Sequence, residues 1–200
     1  MVDLLAKLGL DKLERALAYG VVIAILLALA TNSLYMDSGW ITFFLRWLHV
    51  LSGVMWIGLL WYFNFVQIPS MPKIPDEQKP AIGKVIAPEA LFWFRWAALA
   101  TVITGLLLAM FNGYLVDALT LSGAGPSKLI GVGMWLGLIM AYNVWMIIWP
   151  NQKIALGMVE ADADAKKKAA RTAMITSRVN TMFSIPMLYF MVAAQNLAGG

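Results

Sequence analysis

The sequence predicts an all-α fold, a polytopic transmembrane bundle of five helices, on three observations. Apolar residues make up 61% of the 200-residue chain and charged residues only 13%, proportions outside those of water-soluble domains. The apolar excess gathers into five runs of about 20 residues, the length that a helix rising about 1.5 Å per residue needs to cross a hydrocarbon core about 30 Å thick. Lysine and arginine are concentrated in alternate connections between the runs, which orients the bundle.

Residues 1–15 combine Lys7, Lys12 and Arg15 with Leu4, Leu5, Leu8 and Leu13, the pattern of an amphipathic helix lying at the membrane surface. The five-helix domain, residues 16–197, opens with the run from Ala16 to Met36. A second run, from Trp40 to Val66, exceeds what a bilayer requires and is expected to tilt or to project beyond one interface. Five prolines, Pro69, Pro72, Pro75, Pro80 and Pro88, stand in the connection 67–90 and are expected to interrupt any helix there. The third and fourth runs are Leu91 to Val116 and Leu129 to Pro150; Gly133 and Gly137 in the fourth form a small-x-x-x-small step suited to close helix packing. The connection 151–178 carries Glu160, Asp162 and Asp164 followed by Lys166, Lys167, Lys168 and Arg171, which reads as a solvated helix extending the last span. That span, Val179 to Leu197, contains Pro186, where a kink is expected.

Twelve basic residues fall on one side: Lys7, Lys12 and Arg15 before the first run, Lys73, Lys79 and Lys84 in the connection 67–90, and six more within 151–178. The other side holds Lys128 alone. The expected arrangement is therefore a cytoplasmic N-terminus, cytoplasmic loops 67–90 and 151–178, and an external C-terminus.

Composition also excludes chemistry. There is no cysteine, so disulfides, thiolate metal sites, covalent c-type haem and a cysteine nucleophile are ruled out together. A single histidine, His49, rules out a bis-histidine cofactor site within one chain. The net charge of +4 records loop topology and gives no ground for a nucleic-acid partner. The spans lack the acidic pairs of proton relays, which argues against a pump or a proton-coupled transporter.

Ionisable groups at membrane depth cost about 2.5 to 3.5 kcal/mol at a helix centre and so require a partner or a function. The spans contain three: Arg46, His49 and Arg95. Arg46 and His49 lie one turn apart, and Gly53 lies one turn beyond. This spacing suits a haem b, with His49 as axial ligand to the iron, Gly53 leaving room for the flat ring and Arg46 meeting a propionate. It suits equally a histidine donating to a backbone carbonyl of a neighbouring helix, with Arg46 reaching to the external headgroups. A second polar group, Arg95, Asn143, Gln152, Arg178 and Asn180, shares the cytoplasmic side, with Asn64, Gln67, Asn151 and Thr181 at similar depth. Such groups can hydrogen-bond a planar, carbonyl-rich ligand such as a quinone or a purine. They can also hold helices to one another.

Arg46 to Gly58 (RWLHVLSGVMWIG) followed by Trp61-Tyr62-Phe63, then Phe94-Arg95-Trp96 with Thr104-Gly105, then Met140 to Gln152 (MAYNVWMIIWPNQ), then Ser177 to Met191 (SRVNTMFSIPMLYFM) occur in order along the chain. This series resembles the membrane domain of bacterial membrane-bound, cytochrome c-fused urate oxidases, in a shortened form without the cytochrome domain and its Cys-x-x-Cys-His motif. The resemblance implies a polytopic inner-membrane fold and carries over Arg46, His49, Arg95, Asn143, Gln152 and Asn180 as site candidates. Where a histidine is expected before the paired asparagines of the last block, the chain reads Ser177-Arg178-Val179-Asn180.

Two functions follow as expectations. The first is an integral membrane subunit of a larger respiratory or photosynthetic electron-transfer assembly, structural or electron-relaying, whose partners are lipid and other membrane subunits. The alternative is a cofactor-bearing oxidoreductase in its own right, with haem at His49 or a purine or quinone at the cytoplasmic polar group. No residue is assigned a catalytic role, and whether the chain is an enzyme stays open.

Overall fold

A computed structural model describes residues 6–34, 37–122 and 125–197, and among these residues all regular structure is helical. The chain divides into two compact units, residues 1–43 and 44–200. In the first, Leu8–Lys12 form turns, with Gly9 at φ +76°, before the helix α1, Leu13–Ala30. Leu4 and Leu5 of the expected surface helix lie outside the described residues. The Tyr19 hydroxyl donates to the Leu8 carbonyl at 2.8 Å and ties the turn to α1. No residue of α1 is buried, and beyond Glu14 and Arg15 of its first turn the helix is apolar around its whole circumference.

Three long rods and a final helix follow. The rod α2 is α-helical over Ser38–Trp61, π-helical over Tyr62–Gln67, and ends in the turns Ile68–Ser70 and Met71–Lys73. Next, α3 begins at Lys79–Ala81, widens to a π-helix at Ile82–Ile86 and continues as α-helix over Ala87–Phe111. A short helix, α4, spans Leu115–Thr120. The rod α5 comprises Pro126–Tyr142, a π-helix at Asn143–Ile148, and Trp149–Ala155. Last comes α6, Ala163–Asn196, a single α-helix through Pro186. Asp162 caps its start by accepting from the Ala165 N–H at 2.7 Å, as the acidic-to-basic pattern of this segment anticipates.

Of the five prolines expected to interrupt the chain over 67–90, Pro75 stands in the break at 74–78 that separates α2 from α3, whereas Pro69, Pro72, Pro80 and Pro88 are carried inside helical segments. The reason is local. Proline lacks an N–H, and its ring clashes with the carbonyl four residues earlier. For Pro69, Pro88 and Pro150 that carbonyl belongs to Phe65, Lys84 and Met146, and each of these lies within a π-helical segment. The wider π-turn moves the carbonyl out of the way, and the helix resumes.

Among the described residues, four helices are long and apolar enough to cross a membrane: Leu13–Ala30, Gly39–Lys73, Lys79–Phe111 and Pro126–Ala155. The expected fifth span forms the second half of α6, where Asn180, Thr181 and Ser184 dilute the apolar run. Asn180 and Ser184 are fully buried. The core of the second unit gathers Trp56, Leu60, Phe94, Met140, Val144 and Met187 from α2, α3, α5 and α6. Close packing of α5 uses two of its glycines. A Cβ at Gly131 would overlap the Ala118 carbonyl oxygen of α4, and one at Gly133 would come within 3.3 Å of the Met191 backbone nitrogen of α6. Gly137, the other half of the small-residue step, would meet nothing within 4 Å.

Asn180 fastens α6 to α5: its amide donates to the Met140 carbonyl at 2.9 Å, and its Oδ1 accepts from the Asn143 amide at 2.8 Å. Replacing Asn180 by Ala strands both partners in the core. Thermal unfolding in detergent should register a loss of about 1–2 kcal/mol, and adding Asn143→Ala should cost little more, because the two amides act as one unit.

Candidate functional site

The two polar groups foreseen from sequence meet different fates. His49, on α2, lies against α3. Its Nδ1 is 2.9 Å from the Thr101 carbonyl oxygen and 3.4 Å from Thr104 Oγ1. A carbonyl only accepts, so Nδ1 carries the proton and Nε2 holds the free lone pair. The ring lies over Gly105, where a Cβ would sit 2.8 Å from His49 Cε1. That glycine is therefore required by the approach of the histidine. Gly53 faces the same helix, and a Cβ there would come no closer than 3.9 Å to Thr101 Cγ2. Arg46, one turn before His49, is exposed and makes no hydrogen bond to the histidine's neighbours on α3.

On the side of the basic connections, the expected cluster resolves into separate pairings. Asn143 and Asn180 bond to each other. The Asn64 amide, in the π-turn of α2, donates to Ser177 Oγ at 2.8 Å and to the Leu60 carbonyl at 2.9 Å. The Trp61 indole N–H donates to Ser184 Oγ at 3.0 Å, and the Ser184 hydroxyl donates to the Thr181 carbonyl. Arg95 turns back on its own helix: Nη1 donates to the Leu91 carbonyl at 3.2 Å, and the guanidinium carbon stands 3.5 Å above the Trp149 ring. Lys153 approaches the same indole at 5.7 Å. Stacking of this kind offsets part of the cost of a desolvated cation. Gln152, half-buried, and Arg178, exposed, have no hydrogen-bond partner among the described residues.

Several buried polar atoms have no partner among the described residues: Arg95 Nε, Asn64 Oδ1, Gln67 Oε1 and Trp145 Nε1. They come from α2, α3 and α5 near the π-turns, a helical irregularity that is common at functional sites. In chemical terms this end presents a fixed cation, amide acceptors and indole faces, a set able to bind a planar polar ligand. No group of histidine, cysteine, aspartate and glutamate able to hold a metal occurs among the described residues.

Ser177, Ser184 and Trp149 were not among the candidates read from sequence. The serines had a signal: with Asn180 they stand three and four residues apart, forming one polar stripe on the buried face of α6. Trp149 had none beyond its position at a run end.

Fold and site together define, among the described residues, an all-helical protein with helices long and apolar enough to cross a membrane and an interior polar seam. The urate oxidase N-terminal family model matches residues 117–196, that is the end of α4 with α5 and α6, and includes Asn143, Gln152, Arg178 and Asn180. Arg46, His49 and Arg95 lie outside the matched segment. No curated protein and no solved structure matches the chain.

Two substitutions test the geometry. Gly105→Ala should displace the imidazole and lower stability by about 1–3 kcal/mol, while Gly58→Ala, where a Cβ meets nothing within 4 Å, should change it by under about 0.5 kcal/mol. Arg95→Leu should cost about 1–2 kcal/mol in a detergent melt through loss of the Trp149 stack, whereas Lys128→Leu, at an exposed position, should be close to neutral. Equal effects within either pair would mean that the contacts described do not hold the helices.

Proposed function

We propose that the chain is a multi-pass subunit of a larger redox assembly in a bacterial inner membrane. It crosses five times, with a cytoplasmic N-terminus and an external C-terminus. The fifth crossing is supported by the division of labour on α6. Ser177, Asn180 and Ser184 bond to neighbouring helices, while Met182, Ile185, Tyr189 and Val192, each 60% exposed, form an apolar outer face. The orientation rests on the basic connections.

The observation that carries the subunit reading is the outer surface of the rods of the second unit, where Phe65, Trp93, Trp135, Tyr142 and Met146 stand exposed. Such a surface suits lipid or a neighbouring subunit. Most of the interior polar groups bond one helix to another, as suits a scaffold or a relay. Extraction of native membranes in mild detergent, followed by native electrophoresis and mass spectrometry, should find the chain comigrating with redox proteins. Migration as the 22.1 kDa chain with lipid alone would contradict the reading.

A second reading, a cofactor-bearing oxidoreductase related to urate oxidases, is favoured by two observations. The hydrogen bond of His49 Nδ1 to the Thr101 carbonyl leaves Nε2 free, the arrangement that second-shell bonds give to metal-ligating histidines. The unpartnered Arg95 Nε and amide oxygens, beside a segment similar to the urate oxidase N-terminal family, would suit a purine or a quinone. Haem b at His49 would give the purified protein a Soret band that disappears in His49→Ala while the protein still inserts. A colourless preparation with full membrane insertion would remove haem.

A further inference from the structure

At the end of the second unit opposite the basic connections, a cleft opens among α2, the turn between α3 and α4, the start of α5 and the end of α6. Its polar lining is Arg46, Tyr114, Ser127 and Gln195, and Ile130 and Ala194 contribute apolar wall. None of the four polar side chains has a hydrogen-bond or ion-pair partner among the described residues. The one salt bridge among those residues, Lys79 with Asp76, belongs to the connection between α2 and α3.

The lining therefore offers a permanent cation, five guanidinium N–H groups, two hydroxyls and a carboxamide, with no carboxylate to neutralise them. Burial pushes the Tyr114 phenol above its ordinary range against the opposing pull of Arg46, so the group is protonated at neutral pH and can donate. Donors around a cation select an oxyanion, and a guanidinium matches phosphate oxygens two at a time. The apolar wall favours an anion attached to hydrocarbon over a fully hydrated one. The cleft also lies where the spans end, at the depth of lipid headgroups.

We propose that this cleft binds a phosphate oxyanion, supplied by the phosphodiester headgroup of an anionic phospholipid, with Arg46 as its principal ligand and Tyr114 and Ser127 as supporting donors. The proposal requires only that the helices span a membrane and is independent of the subunit and cofactor readings.

The test is native mass spectrometry of the purified, delipidated full chain titrated with phosphatidylglycerol or phosphatidylcholine. A parallel thermal melt with inorganic phosphate separates lipid from free anion. The wild type should retain phosphatidylglycerol in preference to phosphatidylcholine. Retention should fall about tenfold in Arg46→Gln, as expected for one charge-assisted contact. It should fall about threefold in Tyr114→Phe, which removes a single hydroxyl, and stay unchanged in Lys128→Gln. Tyr114→Phe keeps the site testable if Arg46→Gln fails to insert. Arg46-dependent stabilisation by inorganic phosphate equal to that by lipid would uphold the oxyanion site and assign it to the free ion. Equal retention of phosphatidylglycerol by wild type, Arg46→Gln and Tyr114→Phe, or equal retention of the two lipids by wild type, would overturn the proposal.

Discussion

An unsatisfied polar group in hydrocarbon costs several kcal/mol, because no water is present to take up the bond. The interior of the second unit is organised around that constraint. Helices in lipid gain little from burying apolar faces against one another, so close contact and polar bonds decide which surfaces meet. Here the bonds run from α6 outward: Asn180 to α5, and Ser177 and Ser184 to α2. The helix with the most polar span thus forms the seam of the bundle, and its polarity is a means of assembly.

The same constraint explains the treatment of proline. An open proline-rich loop at membrane depth would expose carbonyls and amides. Three π-turns instead keep the chain helical past Pro69, Pro88 and Pro150. They also bring Asn64, Gln67 and Asn143 into the region where α2, α3 and α5 leave several polar atoms without partners. Irregular backbone and unmatched side chains thus occur together, as at ligand sites in other helical proteins.

Much of the architecture was legible because the signals for it are one-dimensional. Run length and the acidic-to-basic pattern that starts α6 each depend on neighbours within one or two turns. The histidine was legible as one of two alternatives, and its contact with the Thr101 carbonyl follows the simpler one while leaving Nε2 free. The polar group on the other side was legible as a set of residues and not as a set of pairs. Which amide meets which depends on how each helix is rotated about its axis, and the π-turns alter that rotation without any composition that announces them. Arg95 shows the limit: its partner Trp149 lies on another helix, beyond a π-turn, and nothing in the spacing of either residue connects them. In the proline-rich stretch the helices do part at 74–78, at Pro75, but the rule that proline ends a helix fails at Pro69 and Pro88 because it assumes a regular turn before it.

A π-turn accommodates one residue more than the α-turn it replaces, and one residue corresponds to about 100° of rotation about the helix axis. The far ends of α2 and α5 are therefore out of phase with their own beginnings. Gln67 and Lys73, or Gln152 and Lys153, face directions that a heptad drawn from the start of the rod would assign to other positions. Deleting a single residue inside such a turn would restore a regular α-turn and leave the terminal segment facing as before, whereas deleting one elsewhere in the rod would swing that segment by about 100° around the axis. The π-turns are accordingly where these rods should tolerate a change of length, and comparison with distant homologues has to permit a one-residue gap in the middle of a helix.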